Sequence, residues 1–329
     1  MLSMSSTSRS LLIQALLSLP FALTLPPGPM LPLHDATANP LVLSRNVSTF
    51  VDPDFDYVFK PGTELLPELS CYFVTIQIMV DQALRDYKAM TSLGNWNNNG
   101  LDIWWGGCPM NQPIPRSLLL QGLHTSVWEM GISHRFLTGT YYLLYLGQPA
   151  GFLLYTDASS RWLTTNDSLP MHPRDSSSAS NTTTGSDLKR PVNFHYSFLK
   201  KPLQRREYFT IIARTLLKIA PRLKHWPVQD CVTRALGDTV ESKIIQLSHR
   251  RAPSAFAMWE DAVRMLLFAA QVAEETKLFR EIEVTAGYKV GSLEAPIGRL
   301  EIRKAEGTEE NRAASTGSVR DGPVKSATV

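Results

Sequence analysis

Cysteine is scarce in this chain: only Cys71, Cys108 and Cys231 occur in 329 residues. So few exclude a disulfide-dense scaffold and allow at most one bridge with one thiol left over. If a bridge forms, Cys71 with Cys108 is the favoured pair, because both lie in the first half of the chain. The alternative is three free cysteines, buried as small apolar side chains.

The familiar catalytic signatures are missing too. No His-Glu-x-x-His, Gly-x-Ser-x-Gly, Gly-x-Gly-x-x-Gly, P-loop or Cys-x-x-Cys occurs. That removes ordinary zincins, nucleophile-elbow hydrolases, dinucleotide and P-loop nucleotide sites and thioredoxin-like redox centres. A triad gathered from distant positions survives this exclusion. The seven histidines are scattered. His124 and His134 are too far apart for a close helical ligand pair, so neither a metal site nor a cofactor is expected. His195 alternates with Phe194, Tyr196 and Phe198 and should point outward from a strand. A glycosidase needs two carboxyls about 5–10 Å apart in a cleft. Asp52, Asp54 and Asp56 surround Pro53 in what reads as a flexible entry segment. Glu260 and Asp261 open a helix, where acids favour the positive end of the dipole.

After the first 24 residues no apolar run reaches 18, so no transmembrane helix is expected. Residues Ala305 to Val329 lack aromatics and are rich in Glu, Ser, Gly, Ala and Arg, the composition of a disordered tail. The tail has no hydrophobic stretch for a GPI anchor and no KDEL-like retention signal.

What is present begins at the N-terminus. Arg9 precedes an uncharged apolar run from Leu11 to Leu23, and Ala22 and Thr24 supply small residues for cleavage. Residues 1–24 therefore read as a secretory signal peptide, followed by an extended segment over 25–50. Sequons at Asn46, Asn166 and Asn181 support a secreted glycoprotein.

The formal charge is +3 at pH 7, unevenly spread. Residues 51–90 are rich in acids, whereas Lys189 to His225 hold ten Lys and Arg against the single acid Glu207. Arg205, Arg206, Arg214 and Lys218 could form a face for an anionic glycan or headgroup; the alternative is an ordinary solvated helix face.

A Ser/Thr/Asn-rich stretch over 158–190 has linker composition and divides the chain into halves, 51–157 and 191–304. The same periodicity appears in both. Ile76, Met79, Val80, Ala83, Leu84 and Tyr87 form a helical stripe, and Tyr208, Ile211, Ile212, Thr215, Leu216 and Ile219 repeat its spacing 132 residues later. A second stripe, Leu119 to Met130, returns at Trp259 to Ala270, displaced by 140 residues. At that displacement Gly147 and Gly151 match Gly287 and Gly291 between β-type runs, as in hairpins. The halves read as copies, with an insertion between Pro221 and Pro253.

Each half reads as strand, helix, strand, helix, hairpin. In the first these are Glu64–Leu69, Phe73–Met90, Leu101–Trp105, Arg116–Ile132 and the hairpin. In the second they are Val192–Leu199, Arg205–Ala220, Ile244–Ser248, Ser254–Glu275 and the hairpin. A short helix over Val228–Leu236 would fill the insertion, and Leu300–Arg303 would add a last strand. The expected class is α+β, with helices packed on one face of mostly antiparallel sheet.

Trp96, Trp104 and Trp105 flank a turn rich in Asn and Gly, where aromatic rings could stack on sugars. The alternative is that Trp104 and Trp105 alternate on a strand, one filling the core. The leader, the strand followed by an amphipathic helix, and the late helix with its Gly287–Gly291 hairpin resemble uncharacterised secreted proteins of filamentous fungi. This resemblance spans Asp52 to Arg303. It implies an extracellular fungal protein and carries no activity or site residue with it.

Together these readings point to a secreted glycoprotein that binds an extracellular partner, a glycan or an anionic surface, without catalysis. The alternatives are an unrecognised secreted hydrolase near the tryptophan loop and a peripheral binder of anionic surfaces. Nucleic acid is not an expected partner, because the basic stretch lacks an interleaved recognition motif.

Overall fold

The computed structural model describes residues 52–109, 112–158, 192–235, 239–247, 255–290 and 293–305. The leader, the three sequons, most of the linker and the C-terminal tail lie outside the described residues.

The fold is α+β, built as two similar halves. In the first, β1 (Phe55–Leu65) leads into helix α1 (Glu68–Ala83). Short β2 (Met90–Thr91) and β3 (Gly94–Asn98), then β4 (Leu101–Gly107) and short β5 (Ile114–Pro115), precede helix α2 (Arg116–Ser133). The hairpin β6 (Leu137–Tyr145) and β7 (Gln148–Asp157) closes the half. In the second, β8 (Val192–Pro202) leads into α3 (Arg205–Ile219). The strands β9 (Cys231–Arg234) and β10 (Val240–Gln246) precede α4 (Trp259–Thr276), and the hairpin β11 (Arg280–Val290) and β12 (Leu293–Lys304) follows. Each half forms a five-stranded antiparallel sheet with one strand order, β1-β6-β7-β4-β3 and β8-β11-β12-β10-β9.

The correspondence extends to individual residues. Across the first sheet the register runs Phe59, Tyr141, Leu153, Trp105, Gly94. In the second it runs Tyr196, Val284, Leu300, Ile244, Cys231. Buried and half-buried positions along α3 repeat those of α1 almost throughout when α3 is set 137 residues after α1, from Glu68 to Arg205. The second helices pair 143 residues apart, from Arg116 to Trp259, and both end on a left-handed residue, His134 and Lys277.

Several sequence expectations are corrected here. The helices do not pair at displacements of 132 and 140; nearly every side of α1 is buried, so a 3.6-residue stripe matches several phases. Gly147 and Gly287 are not equivalent, and Gly291 lies outside the described residues. Gly147 and the preceding Leu146, both at positive φ (73° and 52°), form the β6–β7 turn, whereas Gly287 sits inside β11 opposite Pro296. Glu294 folds across Gly287, where a Cβ would lie 2.0 Å from its carboxylate.

The first strand begins earlier than expected, so Phe55 and Asp56 belong to β1 rather than to a flexible entry. Residues 231–234, expected within a helix, form edge strand β9, and Leu300–Arg303 is part of β12. Helix α1 stops at Ala83 because Asp86 turns the chain: its carboxylate accepts the Lys88 amide at 3.0 Å and its carbonyl accepts the Ala89 amide at 3.2 Å.

Cys71 and Cys108 do not form a disulfide; all three cysteines are free. Cys71 is buried on α1, where Thr75, which donates to its carbonyl, also reaches the Tyr155 hydroxyl, and Tyr155 pairs with Ile103 of β4. Cys108 follows five residues further along, roughly 16 Å at ~3.3 Å per residue. Bridged Cα atoms lie within about 7 Å.

Each sheet packs one face on its own helices, and the helices of the halves pack on each other, giving β, α, α and β layers. Equivalent residues meet at the junction. Tyr72 stacks on Phe209, with ring centroids 5.1 Å apart, and the Arg205 guanidinium donates to Glu68 at 2.8 Å. Contact between equivalent positions is the mark of a two-fold axis. Because the pairs Glu68–Arg205 and Tyr72–Phe209 follow in the same order along both helices, α1 and α3 run side by side in one direction. Beyond their C-terminal ends, burial lowers the Lys224 pKa to about 8, and the charge of Asp86 offsets only part of that shift.

Candidate functional site

Helix α2 runs antiparallel to α3 across the junction, because Gly131 meets Arg206 and Thr210. A Cβ on Gly131 would lie 3.2 Å from the Tyr72 hydroxyl and 3.5 Å from Arg206 Cβ, so the glycine sets the close approach. On the open side of this crossing is a groove of about 230 Å³, lined by Trp128, Ile132, Arg206, Thr210, Ala235 and Thr239 among others. Ala235, just after β9, and Thr239, just before β10, line its third side.

The groove joins an apolar wall to one cation. Ile132 is exposed and Trp128 half-buried. The Arg206 Nε donates to Gln204 Oε1 at 2.9 Å, and its Nη1 lies 3.4 Å from His134 Nε2. Among the described residues Arg206 has Gln204 and His134 as side-chain partners and no carboxylate. The acid in the lining, Glu207, is engaged: its carboxylate accepts the Gln204 amide at 3.2 Å as half of the capping box of α3.

One turn deeper, His124 of α2 lies buried against Arg214 of α3. Burial and then the Arg214 charge push its pKa down to about 4, so the ring is neutral at ordinary pH. Neither ring nitrogen finds a hydrogen-bond partner among the described residues. The adjoining core is better satisfied. The Tyr155 hydroxyl lies 2.6 Å from Ser126 Oγ and 3.0 Å from Thr75 Oγ1, and burial pushes its proton affinity up.

The structure separates the three sequence-selected tryptophans. Trp105 faces the helices, nearly buried, with its ring over Gly94. Trp96 shares that face and packs partly on the core. Trp104 points to the other face, between Asn95 and Leu154. The β3–β4 hairpin sets this alternation. Its Asn99-Gly100 turn, at φ 52° and 77°, is a strong sequence signal for a two-residue hairpin.

The four basic residues of α3 share no exposed face. Arg205 pairs with Glu68 and lies over the Phe279 ring, Arg214 is half-buried beside His124, and Lys218 donates to the Val232 carbonyl. Only Arg206 reaches the groove. The signal that could have marked the groove is the i, i+4 spacing of Trp128 with Ile132, and of Arg206 with Thr210.

The outer face of the second sheet carries charge. Glu241 is nearly buried and lies 3.1 Å from Lys243, 3.3 Å from Arg303 and 3.6 Å from Arg234. Burial raises its proton affinity, but the hydrogen bonds and charges of Lys243 and Arg303 outweigh that and hold the carboxyl below its usual range. His195 points outward, 2.8 Å from Glu294. Among the described residues no group of three or more His, Cys, Asp or Glu converges as metal ligands would. No described helix is long and apolar enough to cross a membrane.

No protein-family model matches the chain, and no curated protein matches it in sequence. Among solved structures it is similar to the tandem DUF26 ectodomain of the Arabidopsis thaliana cysteine-rich receptor-like protein PDLP8. That likeness has 11% identity, covers 76% of this chain and 96% of the other, and has a TM-score of 0.22. A likeness this distant carries no argument about fold or function.

Proposed function

We propose that this protein is a secreted, non-catalytic binding protein whose ligand lies in the groove between α2 and α3. The observation that supports the reading is the Arg206 guanidinium, with no carboxylate partner among the described residues, in a lining shared with Trp128 and Ile132 and with Thr210 and Thr239. An apolar surface with a few fixed polar groups is the usual form of a ligand site. At about 230 Å³ the space is below the ~300–1,000 Å³ of most small-molecule pockets. It suits one ring or a short stretch of a longer chain. The ligand class that fits is an acidic oligosaccharide: a sugar face for Trp128 and a carboxylate or sulfate for Arg206.

The extracellular part of the reading rests on the sequence: Arg9 before the apolar Leu11–Leu23 run, the sequons at Asn46, Asn166 and Asn181, and the resemblance to secreted fungal proteins. The test is an array of neutral, uronic-acid and sulfated oligosaccharides probed with the purified chain. Acidic members should be retained, and Arg206→Ala and Trp128→Ala should each weaken retention at least tenfold without changing the thermal melt. Retention of neutral and acidic members alike, or of none, contradicts the proposal.

A further inference from the structure

The duplicated fold provides an internal control for one surface feature. The turns that follow α1 and α3 are equivalent. In the first, the Arg116 amide donates to the Ala89 carbonyl at 3.1 Å; in the second, the Trp259 amide donates to the Trp226 carbonyl, also at 3.1 Å. Met90 pairs with Pro115 just as Pro227 pairs with Met258. The backbone is the same, but the outward residues differ. Where the first turn has Asp86 and Ala89, the second has Leu223 and Trp226, 59% and 64% exposed. At these two positions the fold does not require large apolar groups, because its own copy has Asp86 and Ala89; the exposed apolar residue of the first turn, Met90, falls on the position of Pro227.

Nor is the second turn loose. The Trp226 amide donates to the Leu223 carbonyl at 3.0 Å, and the Glu260 amide to the Lys224 carbonyl at 3.1 Å. The Arg222 guanidinium lies over the Trp259 ring at 5.7 Å, and Lys224 Nζ donates to the Ala220 carbonyl at 2.7 Å. Leu223 and Trp226 are thus held out together on one rigid turn between Pro221 and Pro227. Arg222 and His225 are exposed beside them, whereas Lys224 is half-buried and turned back onto the Ala220 carbonyl; the nearby acids are Asp86 and Glu260. Glu260 already bonds Arg264 and lies 3.8 Å from His225.

We propose that this turn is a membrane-docking tip that sets Leu223 and Trp226 into the interface of an anionic bilayer, with exposed Arg222 and His225 against its headgroups. An aromatic and an aliphatic side chain beside exposed basic groups match such a surface in polarity and charge. The tip lies at the C-terminal end of α3, away from the Arg206 groove near its N-terminal end, and the two proposals stand independently.

The experiment is sedimentation of the full chain with vesicles of phosphatidylcholine alone and of phosphatidylcholine with about a third phosphatidylserine. The expected result is binding to the anionic vesicles at low salt, several-fold weaker at high salt, where headgroup attraction is screened. Leu223→Ser with Trp226→Ser should lower it at least tenfold while leaving the thermal melt in place. Arg206→Ala should leave it unchanged. The proposal is overturned if the wild type ignores anionic vesicles, if the double variant binds as well as the wild type, or if only soluble polyanions are captured.

Discussion

Acidification should weaken this fold through His124, and the size of the effect follows from its burial. In the folded chain the ring titrates near 4, against an ordinary value of 6.5. Between those values the unfolded chain binds a proton that the folded chain refuses, so stability rises with pH across the window and is lost as pH falls through it. The drop from 6.5 to about 4, at ~1.4 kcal/mol per pH unit, gives roughly 3.5 kcal/mol at the acid end. That is a large share of the ~5–15 kcal/mol that holds a typical domain together. The assay is urea unfolding at several values between pH 7 and pH 4, comparing the wild type with His124→Leu. The variant fills similar space and cannot titrate. Its stability should change less with pH, with the two curves separating below about pH 6.5. Parallel curves would refute the reasoning, because they would mean that His124 takes up its proton equally well in the folded chain.

Other outcomes follow from neighbouring features. Trp105→Ala should cost about 3–5 kcal/mol, as large-to-small core changes do, and Trp104→Ala on the outer face much less; paired denaturant curves separate them. Tyr155→Phe should cost only about 1 kcal/mol, because Ser126 and Thr75 keep their bonds to the Leu123 and Cys71 carbonyls. A thiol reagent should find three free cysteines in the unfolded chain and react first with Cys108 in the native one. Burial, and then Glu68, raise Cys71 to about 12, whereas Cys108 is only half-buried.

Much of the architecture was legible because both halves obey simple periodicities. Arg116–Ser133 and Arg205–Ile219 begin where apolar spacing and breaker residues place them, whereas the last helix begins at Trp259, five residues after the expected Ser254. What misled was the phase. A helix buried on nearly every side, such as α1, has no single stripe to align, so matching by spacing set the copies five residues out of register. The glycine match failed for a related reason, since Gly147 turns a chain and Gly287 makes room for Glu294. The groove was hidden because it belongs to neither half. Trp128 and Arg206 are ordinary amphipathic positions on their own helices, and only the junction brings them together. The Leu223–Trp226 turn was equally silent until its counterpart with Asp86 and Ala89 could be placed beside it.

Hydrogen exchange of the full chain, with and without an acidic oligosaccharide retained on the array, tests the binding proposal most directly. The account predicts added protection over residues 128–132 and 206–210, on both walls of the groove. Protection confined to the outer sheet faces, or none at saturating ligand, would contradict it.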